Sequence, residues 1–514
     1  MVLYHNLTGV EIPMREANAM EYMSTRGKSE SMESAAAILQ GIAVDGGLLV
    51  PVEIPKVDSE FIDALKDMTY QERAVKILGL FLTDYTEDEL KKCVSNAYGN
   101  GKFDTEEVAP VKEVGDRTVL ELWHGPTSAF KDMALQLLPQ LMQTALQKTG
   151  EKKTIQILVA TSGDTGKAAL AGFADVPQTK IQVFYPENGV SAMQKLQMVT
   201  QKGGNVQVIA VKGNFDDAQT GVKKIFKNDV FVKQLETKGT KLSSANSINW
   251  GRLVPQIVYY FSAYADMCKN GTIKSGDTIN FTVPTGNFGN ILAGFYARQM
   301  GLPIGHLVCA SNQNNVLTDF LQTGYYDRNR PFAKTISPSM DILISSNLER
   351  LLYHLTGDTM RVNGWMEMLA ADGLYDVGVG MLQRVQNYFW ADWSDDEKTK
   401  ETIREVYDKT HYVLDPHTAV AWAAADAYRR KTDDMRPMVI VSTASPYKFN
   451  DSVLEALGEA AEGKNPFELL DALEAKNEVK APKGLTMLKD AKVLHETCCE
   501  KDGMENVVFD FAKG

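Results

Sequence analysis

The sequence predicts an α/β protein with mainly parallel sheets and right-handed crossovers. Through the middle of the chain, strand-length apolar runs alternate with segments of helical spacing. Several of these strands lead through a glycine-bearing turn straight into a helix, which is where such sheets bind ligands. The chain has 514 residues, enough for two to four domains and a large core.

The elements follow in order. Residues 31–40 and 58–68 have helical spacing, and between them Gly41 to Pro51 reads as a turn followed by a short apolar strand. A soft boundary falls near Gly99-Asn100-Gly101. Strands are expected at 154–160, 180–185, 206–211, 278–283, 307–310 and 438–441. Helices are expected at 167–173, 191–201, 215–227 (with Asn214 as its cap) and 290–300. The acidic, aromatic stretch 358–409, with Trp365, Trp390 and Trp393, reads as helical, and so does the Glu/Lys-rich tail 459–514.

Composition excludes several functions. The net charge is -12, against a basic face for nucleic acid or an anionic membrane. No apolar run approaches the roughly 20 residues that span a bilayer, and residues 1–27 resemble neither a secretory signal nor a transit peptide. The five cysteines, Cys93, Cys268, Cys309, Cys498 and Cys499, show no paired spacing. That disfavours a disulfide framework or zinc site and points to a reducing cytoplasm. His411 and His417 have the wrong interval for two ligands on one helix face, so no metal is expected.

Four segments carry chemistry. In Trp123-His124-Gly125-Pro126-Thr127-Ser128-Ala129-Phe130-Lys131-Asp132, a lysine follows a Gly-Pro turn and an apolar pair. Desolvation there favours a neutral amine, a Schiff-base candidate toward a substrate carbonyl or pyridoxal phosphate (PLP). The bland alternative is a helix start with Asp132 in its first turn and Lys131 in water. The loop Ser162-Gly163-Asp164-Thr165-Gly166 can bind a carboxylate, although Asp164 is unwelcome in an anion nest and otherwise reads as a helix cap. The loop Gly286-Asn287-Phe288-Gly289-Asn290 sits between strand and helix and can cradle a phosphate on backbone amides, or be an ordinary turn. It is neither a dinucleotide fingerprint nor a P-loop. Thr443, at the end of the last strong strand, can meet a buried aromatic nitrogen or simply close that strand.

In this order, these segments resemble the fold-type II PLP enzymes, and within them the threonine synthase family of the longer, fungal and enterobacterial type. Also similar are Ser24-Thr25-Arg26-Gly27, Asp45-Gly46-Gly47-Leu48, Asn246-Ser247-Ile248-Asn249-Trp250 and Asp415-Pro416-His417-Thr418. The likeness spans about residues 20 to 450. It implies a tryptophan synthase β-like fold, with two open, mostly parallel sheets, flanking helices and a mostly helical N-terminal region. The domains expected are 1–105; 106–153 with 272–514; and 154–271.

The resemblance also implies roles. Lys131 would hold PLP, Gly286, Asn287, Phe288, Gly289 and Asn290 would bind its phosphate, and Thr443 would meet its pyridine nitrogen. Ser162, Gly163, Asp164 and Thr165 would take the substrate carboxylate. Apart from the resemblance, Arg252, Asn249 and Lys241 are candidates for the substrate phosphate, with Arg252 and Lys241 reading equally well as solvated charges. One departure is Ser445, where the family usually has histidine. The implied reaction turns O-phospho-L-homoserine and water into L-threonine and phosphate, in a cytoplasmic monomer or homodimer. The alternatives are a phospholyase releasing 2-oxobutyrate and a non-catalytic binding protein on a PLP scaffold.

Overall fold

The computed structural model describes residues 19–161, 163–187 and 190–513; Ser162 and the first 18 residues lie outside it. The larger sheet has six strands, in the order Phe389–Trp393, Ile304–Ser311, Ile279–Pro284, Met438–Ser442, Arg117–Glu121 and Val111–Val114. Only the last pair is antiparallel. The smaller sheet is parallel throughout, in the order Thr497–Glu500, Val206–Lys212, Thr179–Pro186, Thr154–Ala160 and Thr240–Ser243. Every residue of the central strand Ile279–Pro284 is buried, as helix-covered parallel sheets require.

The expected strands lie within a few residues of their positions. Others were not expected. The stretch 358–409 is not helical throughout: Phe389–Trp393 is an edge strand of the larger sheet, because its aromatic residues pack on that sheet's layer. The tail is likewise not purely helical. Thr497–Glu500 pairs with Val206–Lys212, and the helix Met504–Lys513 packs beside it. The tail therefore joins the smaller sheet, whereas the sequence-based division assigns all of 272–514 to the larger unit.

In the N-terminal region, Tyr22–Ser24 pairs antiparallel with Leu49–Pro51, and the helices Ser34–Gln40, Tyr70–Phe81 and Glu87–Tyr98 surround them. Thr69 with Glu72, and Thr86 with Glu89, form reciprocal capping boxes that start the last two helices. This region meets the rest of the molecule through Trp250, whose ring lies 5.4 Å from Tyr22, 5.7 Å from Phe81 and 5.4 Å from Tyr296. Truncating such a ring costs about 3–5 kcal/mol. Trp250 opens the helix Trp250–Lys269, which is buried along almost its whole length.

Candidate active site

The lysine turn is fixed at both ends. Ser128 takes a left-handed φ of 58°, and Ala129 bridges Ala444. The Phe130 amide donates to the Thr443 carbonyl at 2.8 Å, and the Ser445 amide to the Ser128 carbonyl at 3.1 Å. Asp132 locks the turn from inside, accepting from the Thr127 amide at 2.8 Å, the Thr127 hydroxyl at 2.9 Å and Gln136 at 3.3 Å. Burial pushes its carboxyl up to about 6 despite these bonds. A Cβ at Gly125 would come within 2.5 Å of the Asp132 Cβ, so glycine is required there.

Lys131 is not a solvated helix start. It is 8% exposed, with Nζ 3.2 Å from the Ser339 hydroxyl and 3.6 Å from Asp164 Oδ2. Burial pushes its amine down to about 8; Asp164 opposes that shift, while Lys448 and Arg252 reinforce it. A buried lysine of this kind is poised as a base or nucleophile near neutral pH.

The loop before the helix Asp164–Phe173 comes close because Gly172 has no side chain: a Cβ there would overlap the Leu135 carbonyl. Thr161 Oγ1 accepts from the amides of Gly163 at 3.0 Å and Gly166 at 2.9 Å. Among the described residues the amides of Asp164 and Thr165 have no partner. Gly163 is the cap residue, so Asp164 is not a helix cap. Its carboxylate instead accepts from Gln194 at 3.0 Å and from Ser339 at 3.4 Å, and pairs with Lys448 at 2.8 Å. Burial alone would raise its pKa, but the ammonium groups of Lys448 and Lys131 hold it well below the usual carboxylate range.

The Gly286-to-Asn290 loop opens the helix Gly289–Met300. Among the described residues its backbone amides, from Gly286 to Ile291, have no partner. The carbonyls face elsewhere: Gly286 accepts from Ser345 at 2.7 Å, and Asn287 from the Asn347 amide at 3.1 Å. Phe288 holds a left-handed φ of 64°, which costs a non-glycine residue about 1–2 kcal/mol. Tyr259 and Tyr260 donate to Asn290 Oδ1 at 2.7 and 2.9 Å, and Asn290 Nδ2 is left buried without a partner among the described residues. A Cβ at Gly286 would lie 2.8 Å from the Ser339 carbonyl, so Ser339 joins this loop to Lys131. Free amides at a helix N-terminus, one residue from a buried amine, suit an aldehyde cofactor bearing a phosphate.

Thr443 lies beside the same turn and is buried. Ser445 is fully buried and its hydroxyl has no partner among the described residues, so it makes none of the ring hydrogen bonds a histidine could supply. His417 is held by Asp415 at 2.8 Å and accepts the Ser339 amide at 3.2 Å, which positions Ser339.

The phosphate-ligand candidates separate. Arg252 is buried, uses one nitrogen on the Ala245 carbonyl at 2.9 Å and leaves Nε unpartnered among the described residues. Burial lowers its pKa to about 10. Asn249 is occupied as a helix cap: Oδ1 accepts the Gly251 amide at 2.9 Å, and Nδ2 donates to the Ile38 and Ser244 carbonyls at 3.0 and 3.1 Å. Lys241 is drawn away to Glu151, 3.7 Å distant. His124 stands apart, between Asp104 at 2.5 Å and Glu121 at 2.9 Å. Ser339, Gln194 and Lys448 carry no sequence signal of their own; the one available clue was that an aspartate in an anion loop needs a counter-ion.

Fold and site together define a PLP-dependent enzyme built on parallel α/β sheets. Three family models match: "Threonine synthase N terminus" over residues 21–98, "Pyridoxal-phosphate dependent enzyme" over 112–375 and "Threonine synthase, C-terminal" over 418–491. The chain belongs to the threonine synthase family. It is 42% identical to human "Threonine synthase-like 1" over 82% of its own length, but spans only 57% of that relative. It is 39% identical to the threonine synthase of Saccharomyces cerevisiae, over 85% of this chain and 89% of that one. The crystal structure of PLP-bound threonine synthase from Brucella melitensis superimposes with a TM-score of 0.85 at 37% identity, covering 96% of this chain and all of that one.

Proposed function

We propose that this protein is a threonine synthase, converting O-phospho-L-homoserine and water to L-threonine and phosphate in the cytoplasm. The observation that carries this is the buried Lys131 amine, set where the loops at Asp164, Ser339 and Thr443 meet. Lys131 would hold PLP, with the cofactor phosphate on the free amides of the Gly286-to-Asn290 loop and the pyridine nitrogen at the uncharged Thr443 hydroxyl. When bound, PLP supplies the electron sink that makes substrate Cα and Cβ protons removable.

The chain's own groups do the rest. Lys131 Nζ, with its amine near 8, takes the Cα proton and returns one at the end of the cycle. The free amides of Asp164 and Thr165 offer the substrate carboxylate a seat at the N-terminus of their helix. The unpartnered Arg252 Nε offers a charge-assisted bond to the substrate phosphate. Over the cycle the Cγ–O bond to phosphate breaks and water adds at Cβ.

Product analysis with O-phospho-L-homoserine tests this reading. L-Threonine and phosphate in equal amounts are expected, and Lys131→Ala abolishes both. Phosphate with 2-oxobutyrate and no threonine would make the protein a phospholyase.

A further inference from the structure

Asp164 poses a problem that the proposed reaction does not solve. It is a buried carboxylate inside a loop suited to anions, and it faces the one amine that has to be neutral. Left alone with Lys131, it would hold that lysine as its ammonium partner, because an opposite charge at this distance favours the charged form.

A second lysine resolves this. Lys448 lies in the short turn Pro446–Phe449, which begins three residues after Thr443, and is 2% exposed. Its Nζ sits 2.8 Å from Asp164 Oδ1 and donates to the Thr127 carbonyl at 2.9 Å. Asp164 thus has an oxygen for each lysine: Oδ1 takes Lys448 and Gln194, while Oδ2 faces Lys131 and the Ser339 hydroxyl. We propose that Lys448 is a positioning residue, the counter-ion of Asp164, which leaves Lys131 facing a neutral pair and free to act as an amine.

The other groups around Lys131 fit this assignment. Arg252, from the helix Trp250–Lys269, is a further cation and favours the neutral amine. His417 is held by Asp415 and meets Ser339 through the Ser339 backbone amide. Asp132 turns its carboxylate inward to Thr127, away from the amine. The Phe130 ring lies 5.1 Å from Nζ. Among the described residues Asp164 is therefore the one anion against Lys131, and Lys448 is the group that cancels it. The same pairing explains how an anion loop tolerates an aspartate.

The proposal rests on Lys131 being the PLP lysine, and its test keeps the two apart. Apo-protein is mixed with PLP between pH 6 and 10, reduced with borohydride, and the modified peptide is quantified by mass spectrometry. Capture joins the Lys131 nitrogen to the aldehyde carbon with loss of one water, and only the neutral amine attacks. Wild type should reach half-maximal capture near pH 8.

Lys448→Met should raise that midpoint by at least one pH unit, slowing capture at pH 7 about tenfold. Lys448→Arg, which keeps the charge, should track wild type. Asp164→Asn/Lys448→Met, which removes both charges, should bring the midpoint back. Asp164→Asn alone should lower it, and this decides the matter if Lys448→Met does not fold. An unmoved midpoint in Lys448→Met or in Asp164→Asn overturns the proposal, and so does a Lys448→Arg midpoint raised as far as that of Lys448→Met. Modification of a residue other than Lys131 in wild type overturns the lysine assignment instead.

Discussion

His124 should make stability depend on pH in a direction opposite to that of most carboxylates. Its ring lies between Asp104 and the fully buried Glu121, with Trp123 stacked 4.2 Å away. Burial opposes its charge, but the two carboxylates outweigh burial and raise the imidazole from 6.5 to about 9. A group whose pKa is raised on folding stabilises fully below its unfolded value and loses that contribution as pH rises through the folded value. The window is therefore pH 6.5 to about 9. The shift corresponds to roughly 3 kcal/mol. Because Asp104 is 53% exposed, solvent screening reduces this to about 1–2 kcal/mol.

The perturbation is His124→Gln, which keeps hydrogen-bonding capacity and removes the charge. Urea unfolding of both proteins at pH 6, 7.5 and 9.5 should show the variant less stable by about 1–2 kcal/mol at pH 6 and near wild type at pH 9.5. A difference that is constant across this range, or that grows with pH, refutes the charged sandwich.

Three further outcomes are expected. Gly286→Ala should weaken PLP binding at least tenfold in a fluorescence titration, because its Cβ would meet backbone at Ser339 and Met340, and such overpacking costs about 1–3 kcal/mol. Asn249→Ala should lower the melting temperature with little change in KM, since losing a cap and two carbonyl partners costs about 1–2 kcal/mol. Arg252→Gln should raise KM for the phosphorylated substrate by about 10–100-fold, from about 1.5–3 kcal/mol of charge-assisted bonding, and weaken inhibition by inorganic phosphate in parallel.

The candidate site was legible where its residues lie close together in the chain. A lysine after a Gly-Pro turn, and a glycine loop between strand and helix, announce themselves within ten residues, as do the buried runs of the central strands. What escaped depends on distance along the chain. Ser339 reaches Lys131 across 208 positions, and Lys448 reaches Thr127 across 321, so no local pattern marks either. Asn249 misled by residue type, since an asparagine ahead of a helix suits a ligand and a cap equally well. The strands Phe389–Trp393 and Thr497–Glu500 were hidden by charged neighbours whose spacing is helical.

The late arrival of Thr497–Glu500 sets a timetable for biogenesis. Lys212 and Glu500, which end the two paired strands, are 288 positions apart. At about 5–20 residues per second of synthesis, the outer edge of Val206–Lys212 therefore waits roughly 15–60 s for its partner. Throughout that interval the nascent smaller sheet presents an open row of amides and carbonyls, the template on which chains pair with one another.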